Sequence, residues 1–391
     1  MADFVNIQIP NTVIGIGAIS RIADLVKNFA PTKIAIITEK GIVKAGVLDM
    51  VKSPLQKAGY RFDIFDDGEL EPSISSLEEL GNKIKDGKYD LLVGVGGGST
   101  MDSTKVADLI AANEGISVYD LVAGKPAVRT IPKILIPTTS GSGSEWSIAA
   151  VVSDDKANRV TRLILTPNNF PNGVIIDPEL TLNLPQTITA DTGMDALTHA
   201  IEAYTSAKAS IISDMLAGTA IKLISDNLRM AYGKGSINIE ARYNMAVAAS
   251  LAMLAASVSS VGLVHYMNEP LGKRAHIPHG KACTMLLPNV MEYNLVANPP
   301  KFAKVAELMG ENISGLPVMG AAAKSVDAVR RLAKDLGMPK KLSEIRGNPL
   351  AEADIPSMVK EVHSKMGPMI NETNPRDVSP EETKQIFSIL F

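Results

Sequence analysis

The sequence predicts an α/β domain built on a parallel sheet, followed by an all-helical domain. With 391 residues, the chain is too long for one compact core. Its first half alternates short β-branched runs with helical patterns, which favours a parallel sheet covered by helices on both faces. From Thr187 onward, long helical patterns replace the strands, so we predict a boundary near Leu180–Pro185 and domains of residues 1–183 and 184–391.

Each predicted element follows from its hydrophobic period and its length. Short apolar runs rich in Val and Ile predict buried strands, and a period near 3.6 predicts helices. The predicted strands are Lys33–Thr38, Arg61–Phe65, Asp90–Val95 and Ile131–Ile136, with helices Leu48–Ala58 and Ile74–Lys85 between them. The predicted helices of the second half are Ala190–Ser206, Ile211–Met230, Ile239–Val258, Met319–Leu336 and Pro380–Leu390.

Composition excludes several classes of protein. A net charge of −3 gives no reason to expect a nucleic-acid partner. The single cysteine, Cys283, excludes a disulfide framework and a Cys-rich zinc site. Asp3 and Asn6 interrupt any signal-peptide core, and no run approaches the ~18–20 apolar residues of a membrane span. We therefore expect a cytoplasmic protein with no membrane partner.

A glycine-rich turn follows the third predicted strand. Gly96, Gly97, Gly98 and Ser99 lead into a helix, with Ser99 or Thr100 as the expected N-cap and Asp102 in the first turn. Glycines let the backbone approach a ligand closely, and the free N–H groups of a helix start attract phosphate. A plain strand-to-helix turn is the alternative, but three glycines exceed its needs, so we favour phosphate binding.

A second polar loop, from Pro137 to Glu145, follows the fourth predicted strand. Its Thr138, Thr139 and Ser142 can bond to phosphate or ribose hydroxyls. Ligands of open α/β sheets collect at the carboxyl ends of the strands, so the two loops predict one nucleotide site in a Rossmann-like domain. Arg162 completes the predicted cofactor-binding set.

Glu39 ends the first predicted strand and bears on the choice of cofactor. A carboxylate there can accept hydrogen bonds from a ribose 2′-OH and repels a 2′-phosphate, which favours NAD over NADP. The adjacent Lys40 weakens this argument, because it can neutralise a phosphate. A solvated charge in a loop is an equally good interpretation of Glu39.

Four residues of the second half have the chemistry of a metal site. Asp195 and His199 are four residues apart in a predicted helix, so both lie on one face. A carboxylate oxygen and an imidazole nitrogen suit one divalent metal, and with His265 and His279 the ligand set is complete. Taken alone, the Asp-x-x-x-His pair also fits an ordinary surface contact.

The chain resembles the iron-containing (group III) alcohol dehydrogenases over essentially its whole length. The matching segments are residues 96–99 with Asp102 and Lys105, residues 137–145, 193–202, 262–265, 278–280 and 374–376. The resemblance implies a dehydroquinate synthase-like architecture with the active site between its two domains. It also implies metal ligation by Asp195, His199, His265 and His279, NAD(H) as cofactor, and Fe²⁺ as the metal with Zn²⁺ as the alternative. We further expect a homodimer or a higher homo-oligomer.

One position departs from the pattern of that family. Members commonly carry a second histidine four residues after the third ligand, where this chain has Glu269. On the same helical face as His265, Glu269 could relay a proton, join the metal as a further ligand, or only form a hydrogen bond. His265 and Glu269 are the predicted catalytic residues. Cys283 is assigned no catalytic role and is interpreted as a small buried residue.

These features predict a metal-dependent, NAD(H)-linked alcohol dehydrogenase or aldehyde reductase acting on a small alcohol or aldehyde. Lys273 and Arg274 could select an anionic aldehyde, or they could be a solvated pair on a loop. The alternative function is a dehydroquinate-synthase-like lyase, which also uses NAD and a metal but returns the hydride within one turnover. A non-catalytic nucleotide-binding protein is disfavoured, because a complete ligand set accompanies the phosphate loop.

Overall fold

The structure, a computed structural model, describes residues 7–157 and 159–391. It divides the chain into two units, Gln8–Leu184 and Pro185–Phe391. The division after Leu184 falls one residue from the domain boundary expected from the sequence. The first unit contains the parallel sheet and the second is helical, so the predicted fold class is confirmed.

The first unit is built on a six-stranded parallel sheet with the strand order β1-β8-β5-β4-β2-β3. Strands β6 and β7 form a separate antiparallel ribbon. The strands are β1 Thr12–Ile14, β2 Ile34–Ile37, β3 Phe62–Phe65, β4 Leu91–Gly96, β5 Lys133–Pro137, β6 Ala149–Asp154, β7 Val160–Leu165 and β8 Gly173–Ile176. The helices of this unit are α1 Ile22–Lys27, α2 Lys40–Lys44, α3 Val47–Lys57, α4 Ile74–Asp86, α5 Gly98–Ala112 and α6 Val118–Val122.

The four strands predicted from the sequence are β2, β3, β4 and β5, each within two residues of its predicted bounds. Every residue of β2, β4 and β5 is buried, because helices cover both faces of a parallel sheet, and this burial requires continuous apolar runs. The other four strands were not predicted. β1 has only three residues, and the ribbon β6–β7 exposes Val151, Leu163 and Leu165, so its apolar runs do not mark a buried sheet.

The strand order creates a place for a ligand at the carboxyl ends of β2 and β4. From β2 the chain proceeds to β3 on one side, whereas from β4 it proceeds to β5 on the other. Such a reversal between neighbouring strands opens a crevice where ligands of α/β sheets bind. The loops after β2, β4 and β5 therefore leave three adjacent strands at the same edge of the sheet.

The second unit consists of nine α-helices within residues 185–391. They are α7 Gln186–Thr205, α8 Ile211–Lys234, α9 Ile239–Ser259, α10 Leu263–Ala275, α11 His279–Asn294, α12 Pro299–Leu308, α13 Val318–Asp335, α14 Ile355–Thr373 and α15 Pro380–Ile389. The five predicted helices are α7, α8, α9, α13 and α15. No bounds were predicted for α10, α11, α12 and α14, although His265 and Glu269 were expected to share a helical face. Helices α10 and α11 each contain an interior proline, Pro270 and Pro288, which argues against a helix on local grounds.

In the part of the chain that the structure describes, no single helix has both the length and the apolar composition needed to cross a membrane. Helices α9 and α10 pass that test only as a pair, and they are bent by 109° relative to each other.

A buried ion pair joins β5 to α5. The Lys133 side chain is 1% exposed, and its Nζ lies 2.5 Å from Asp108 Oδ2 and donates to the Asn168 carbonyl at 2.7 Å. Burial raises the pKa of Asp108 to about 6, although the facing ammonium group of Lys133 opposes this shift. Each of the two buried charges therefore stabilises the other, whereas either charge alone would be unfavourable in this buried environment.

Replacing Lys133 with Met should lower the free energy of unfolding by about 3–5 kcal/mol, because the change leaves the Asp108 carboxylate buried without its cation. Denaturant unfolding measures the loss. Lys33→Met is the matched control, since its ion pair with Asp63 is exposed on both sides and should contribute at most about 1 kcal/mol. Equal losses in the two variants would contradict the assignment of a buried, mutually compensating pair.

Candidate active site

Helix α7 presents three ionisable residues on one buried face. Asp195, His199 and Glu202 follow one another at intervals of four and three residues, so their side chains stack along the helix. All three are at most 7% exposed. Gly193 lets α8 approach closely, since a Cβ there would lie 2.3 Å from Leu228 Cδ1. Polar groups buried in this way need partners, and the following helices supply them.

The structure places the three predicted histidine ligands within 3.9 Å of Asp195 Oδ1, but His199 is not part of the group of ligand atoms that all lie within 4.8 Å of one another. Asp195 Oδ1 lies 3.9 Å from His199 Nδ1, 3.9 Å from His265 Nε2 and 3.5 Å from His279 Nε2. The rings of His199 and His265 are stacked with their centroids 4.4 Å apart, and the His279 ring is 5.4 Å from that of His265. Atoms that bind one ion at about 2.1 Å are separated by roughly these distances.

The electrostatics of this cluster fit a divalent cation. His199 Nδ1 and His265 Nε2 are buried and have no hydrogen-bond partner among the described residues. Burial lowers the pKa of His199 to about 3, so this imidazole is neutral and offers a lone pair. Buried nitrogen atoms without partners are costly, and a metal ion would satisfy both beside the carboxylate of Asp195. His279 leaves 55% of its side chain exposed and so marks the accessible side of the cluster.

Cys283 lies beside the cluster, which the sequence analysis did not anticipate. Its Sγ is 3.9 Å from Asp195 Oδ1, and the ligand atoms of Asp195, His265, His279 and Cys283 all lie within 4.8 Å of one another. Asn268 Nδ2 donates to Sγ and to the His279 carbonyl, both at 2.9 Å. Burial raises the pKa of the thiol well above its usual value, which keeps the sulfur protonated. The sequence indicated this contact only through spacing, because Cys283 follows His279 by four residues and both therefore lie on one face of α11.

Glu202 is a second residue to which the sequence analysis gave no role. Its Oε2 lies 2.6 Å from His265 Nδ1, the ring nitrogen opposite the cluster. The two carboxylate oxygens also accept hydrogen bonds from the backbone N–H groups of Gly262 and Val264. The sequence indicated this position only through spacing, because Glu202 follows His199 by three residues and so lies on the same face of α7.

Helix α10 carries the remaining charged candidates. Glu269 is half-buried and lies one turn after His265. Further along, Lys273 Nζ lies 3.2 Å and an Arg274 guanidinium nitrogen 3.1 Å from the carboxylate of Glu361 on α14. Both cations are partly buried in this contact, so the interpretation as a solvated pair on a loop is wrong. Glu361 offsets one of their two positive charges and directs both side chains towards α14.

In the first unit, the glycine turn differs in detail from the expectation. Helix α5 begins at Gly98 with Gly97 as its N-cap, so the predicted cap at Ser99 or Thr100 is wrong. The Ser99 hydroxyl instead donates to the Leu70 carbonyl, a partner distant in sequence. Asp102 consequently lies beyond the first turn of the helix.

The three glycines of the turn have different neighbours. A Cβ on Gly96 would lie 2.4 Å from Thr100 Oγ1, and one on Gly98 would lie 2.8 Å from Ser142 Oγ, so the protein's own packing requires both glycines. A Cβ on Gly97 would make only ordinary contacts, at 3.6 Å from Thr139. The backbone at Gly97 therefore has room for a ligand at the start of a helix, where N–H groups favour phosphate.

The second loop supports the same site. Thr138 Oγ1 is buried without a hydrogen-bond partner in residues 7–157 and 159–391. Its backbone N–H donates to the Gly96 carbonyl at 2.9 Å, which joins the second loop to the glycine turn. Thr139 and Ser142 are half-buried, and both approach the glycine turn. The unsatisfied hydroxyl and the space at Gly97 fit a polar cofactor at this edge of the sheet.

Two residues of the predicted cofactor set have partners within the unit. Asp102 accepts hydrogen bonds from Ser144 Oγ at 2.6 Å and from the Val151 N–H at 3.0 Å, and thereby fixes the second loop to α5. Arg162 lies on the ribbon β6–β7, where its guanidinium group pairs with Asp154 at 3.2 Å. These contacts provide polar partners for both side chains, so neither needs a cofactor to satisfy it.

Glu39 lies where the sequence analysis placed it. It follows β2 and is the N-cap residue of α2, and partial burial raises the pKa of its carboxyl group. Lys40 Nζ pairs with Asp67 Oδ1 at 3.0 Å. The Lys40–Asp67 pair is exposed on both sides, so Lys40 remains able to offset part of the repulsion between Glu39 and a 2′-phosphate.

The sequence matches two models of one protein family. The model described as "Iron-containing alcohol dehydrogenase" matches residues 10–178. The model described as "Fe-containing alcohol dehydrogenase family, C-terminal" matches residues 189–391. Together these matches cover nearly the whole chain.

Individual relatives are similar over their full lengths. The chain is 38% identical to the 1,3-propanediol dehydrogenase of Klebsiella pneumoniae over 387 residues, 98% of both chains. It is 34% identical to the NAD-dependent methanol dehydrogenase of Bacillus methanolicus over 380 residues, 96% of this chain and 97% of the relative. Its structure matches the crystal structure of a 1,3-propanediol oxidoreductase with a TM-score of 0.93 and 36% identity, covering 99% of this chain and 100% of the other.

Proposed function

The chain belongs to the iron-containing alcohol dehydrogenase family, whose members interconvert alcohols and aldehydes, and we propose that it does so on a small substrate with NAD(H) and a divalent metal. The ligands in this proposal are Asp195, His199, His265 and His279, and the metal is Fe²⁺, with Zn²⁺ as the alternative. The observation that carries the proposal is the convergence of the Asp195 carboxylate with three imidazole nitrogens, two of them buried and without partners among the described residues.

When bound, the metal lowers the pKa of an alcohol hydroxyl or polarises an aldehyde carbonyl, while the nicotinamide exchanges hydride with the substrate carbon. The protein's residues provide the conditions for this chemistry. Asp195 would contribute the single negative charge of the ligand set, so the site holding a divalent cation would keep a net positive charge. The burial of His199 and His265 keeps water from two sides, and the exposed His279 side leaves room for substrate. Glu269 relays protons between the substrate and solvent.

The proposed cofactor site lies at the carboxyl ends of β2, β4 and β5. The helix start at Gly97 would bind the pyrophosphate, with Thr138, Thr139 and Ser142 donating to phosphate or ribose oxygens. Glu39 would accept hydrogen bonds from the ribose 2′-OH. We propose no cofactor contact for Asp102 or Arg162, because their partners lie within the protein.

Replacing Glu39 with Gly should relax the preference for NAD. The change removes the carboxylate that repels a 2′-phosphate, so the ratio of kcat/KM for NADP to that for NAD should rise about tenfold or more, equivalent to ~1.4 kcal/mol. Steady-state kinetics with both cofactors measures the ratio. Glu39→Gln separates the effect of charge from that of shape, because it keeps an acceptor oxygen for the 2′-OH. An unchanged ratio in both variants would mean that Glu39 faces solvent.

A panel of alcohols and aldehydes with NAD(H) and NADP(H), applied to protein of measured metal content, tests the proposed function. Net NADH formation from a small alcohol, or net NADH oxidation by an aldehyde, is the expected result. A lyase that returns hydride within the turnover would give no net change in NADH with any member of the panel.

We also propose a cytoplasmic protein that forms a homodimer or a higher homo-oligomer. The exposed Val151, Leu163 and Leu165 on the ribbon β6–β7 support the proposed oligomer.

A further inference from the structure

Glu202 on α7 accepts three hydrogen bonds at the start of α10. Its Oε2 lies 2.6 Å from His265 Nδ1 and accepts from the Gly262 N–H at 2.8 Å. Its Oε1 accepts from the Val264 N–H at 2.6 Å. The Glu202 side chain is only 6% exposed, so these three groups, rather than water, satisfy the carboxylate.

These contacts determine which nitrogen of His265 carries the proton. Backbone N–H groups can only donate, so both oxygens of the ionised carboxylate act as acceptors. Nδ1, facing Oε2, must then carry its hydrogen, so in the neutral imidazole Nε2 is the nitrogen with the lone pair. Nε2 is the atom that lies 3.9 Å from Asp195 Oδ1 and has no hydrogen-bond partner among the described residues.

The same carboxylate replaces a missing helix cap. Gly262 is the N-cap of α10 and has no side chain to bind the first N–H groups of that helix. Glu202 supplies this cap from another helix, and its negative charge also suits a helix N-terminus. Gly262 leaves space for this contact, since a Cβ at residue 262 would lie 2.9 Å from Glu202 Oε1. One side chain thereby fixes both the position of α10 and the orientation of the His265 ring.

We infer that Glu202 is a positioning residue that holds His265 in its Nδ1–H form, with the Nε2 lone pair directed at the metal cluster. This inference rests on the proposed function, because it takes His265 to be a metal ligand. A hydrogen bond from a ligating imidazole to a carboxylate fixes the tautomer and raises the basicity of the ligand. Glu202 therefore contributes to metal affinity without touching the metal or the substrate.

Glu202→Gln tests the inference with little change in shape. The amide has one acceptor oxygen in place of two. With that oxygen on the Val264 N–H, the NH2 group faces His265 Nδ1, and in the opposite orientation His265 still loses the carboxylate charge that raises its basicity. The contact between the NH2 group and Nδ1 favours the Nε2–H tautomer and blocks the lone pair needed by a metal. We expect the affinity of the metal-free protein for Zn²⁺ or Co²⁺, titrated against a competing chelator, to fall about 10- to 100-fold.

Ser210→Ala is the matched control for a helix cap. Ser210 and Ser213 form the capping box of α8 in the same unit, outside the metal cluster. This variant should melt a few degrees lower yet keep wild-type metal affinity. If Glu202→Gln does the same, Glu202 is only a structural cap and the inference is overturned. If the wild-type protein itself binds neither Zn²⁺ nor Co²⁺, the proposed function fails. The failure of the proposed function is therefore distinguishable from the failure of the inference about Glu202.

Two further measurements apply if Glu202→Gln does not fold. Glu202→Asp keeps the charge and both acceptors but is one methylene shorter, so it cannot reach all three donors. We expect its metal affinity to lie below that of the wild type, and an equal affinity would contradict the inference. In addition, ¹⁵N NMR of the histidine rings in metal-free wild-type protein should show the proton of His265 on Nδ1. A neutral His265 ring with its proton on Nε2 and none on Nδ1 would overturn the inference directly.

Discussion

Replacing His265 or His279 with Ala is expected to release the metal and abolish nearly all turnover. Each change leaves three ligands, and the two buried nitrogens that face Asp195 are the structural reason to expect tight binding by the complete set. Without the ion, the substrate oxygen loses a stabilisation of several kcal/mol, so kcat/KM should fall by about a thousandfold or more. Metal content by elemental analysis and steady-state kinetics on the same samples measure the two effects.

His363→Ala is the control for removal of a histidine. His363 lies on α14, where its Nε2 is 2.8 Å from Thr383 Oγ1, and it takes no part in the cluster. That variant should retain metal and turnover. Full activity in a metal-free His265→Ala or His279→Ala protein would refute the assigned ligand set.

Replacing Glu269 with Gln is expected to lower kcat by roughly ten- to a hundredfold while the metal content persists. Glu269 lies one turn after His265 on α10, so both residues are on one face of that helix. A carboxylate at this position can pass protons through water between the substrate and solvent. Gln keeps the size and most hydrogen bonding of Glu and removes only the charge.

The pH profile separates the three roles that the sequence left open for Glu269. Glu269→His should retain substantial activity with a shifted pH profile, because the imidazole titrates nearer neutrality. Wild-type turnover in Glu269→Gln between about pH 6 and 9 would end the relay hypothesis. Loss of metal in Glu269→Gln would instead make Glu269 a ligand, and the set of four ligands would then be incomplete.

The sequence by itself determined the central strands and proposed the residues of the metal site. β2, β4 and β5 are buried on both faces, and burial leaves a continuous apolar run that can be read without the structure. Asp195 and His199 share a face of α7 because helical geometry fixes the relation between residues four apart. His265 and His279 were predicted ligands from residue chemistry and from the family resemblance, and the structure places both beside Asp195.

Only the tertiary structure decided how those residues are supported. The cap of α5 at Gly97, the contact of Cys283 with Asp195, and the binding of Lys273 and Arg274 to Glu361 all involve packing that local patterns do not encode. Glu202 and His265 are 63 positions apart in sequence, and their 2.6 Å contact exists because α7 and the start of α10 meet in the folded unit. Periodicity places a side chain on a face of its own element, whereas hydrogen-bond partners are set by which elements pack together.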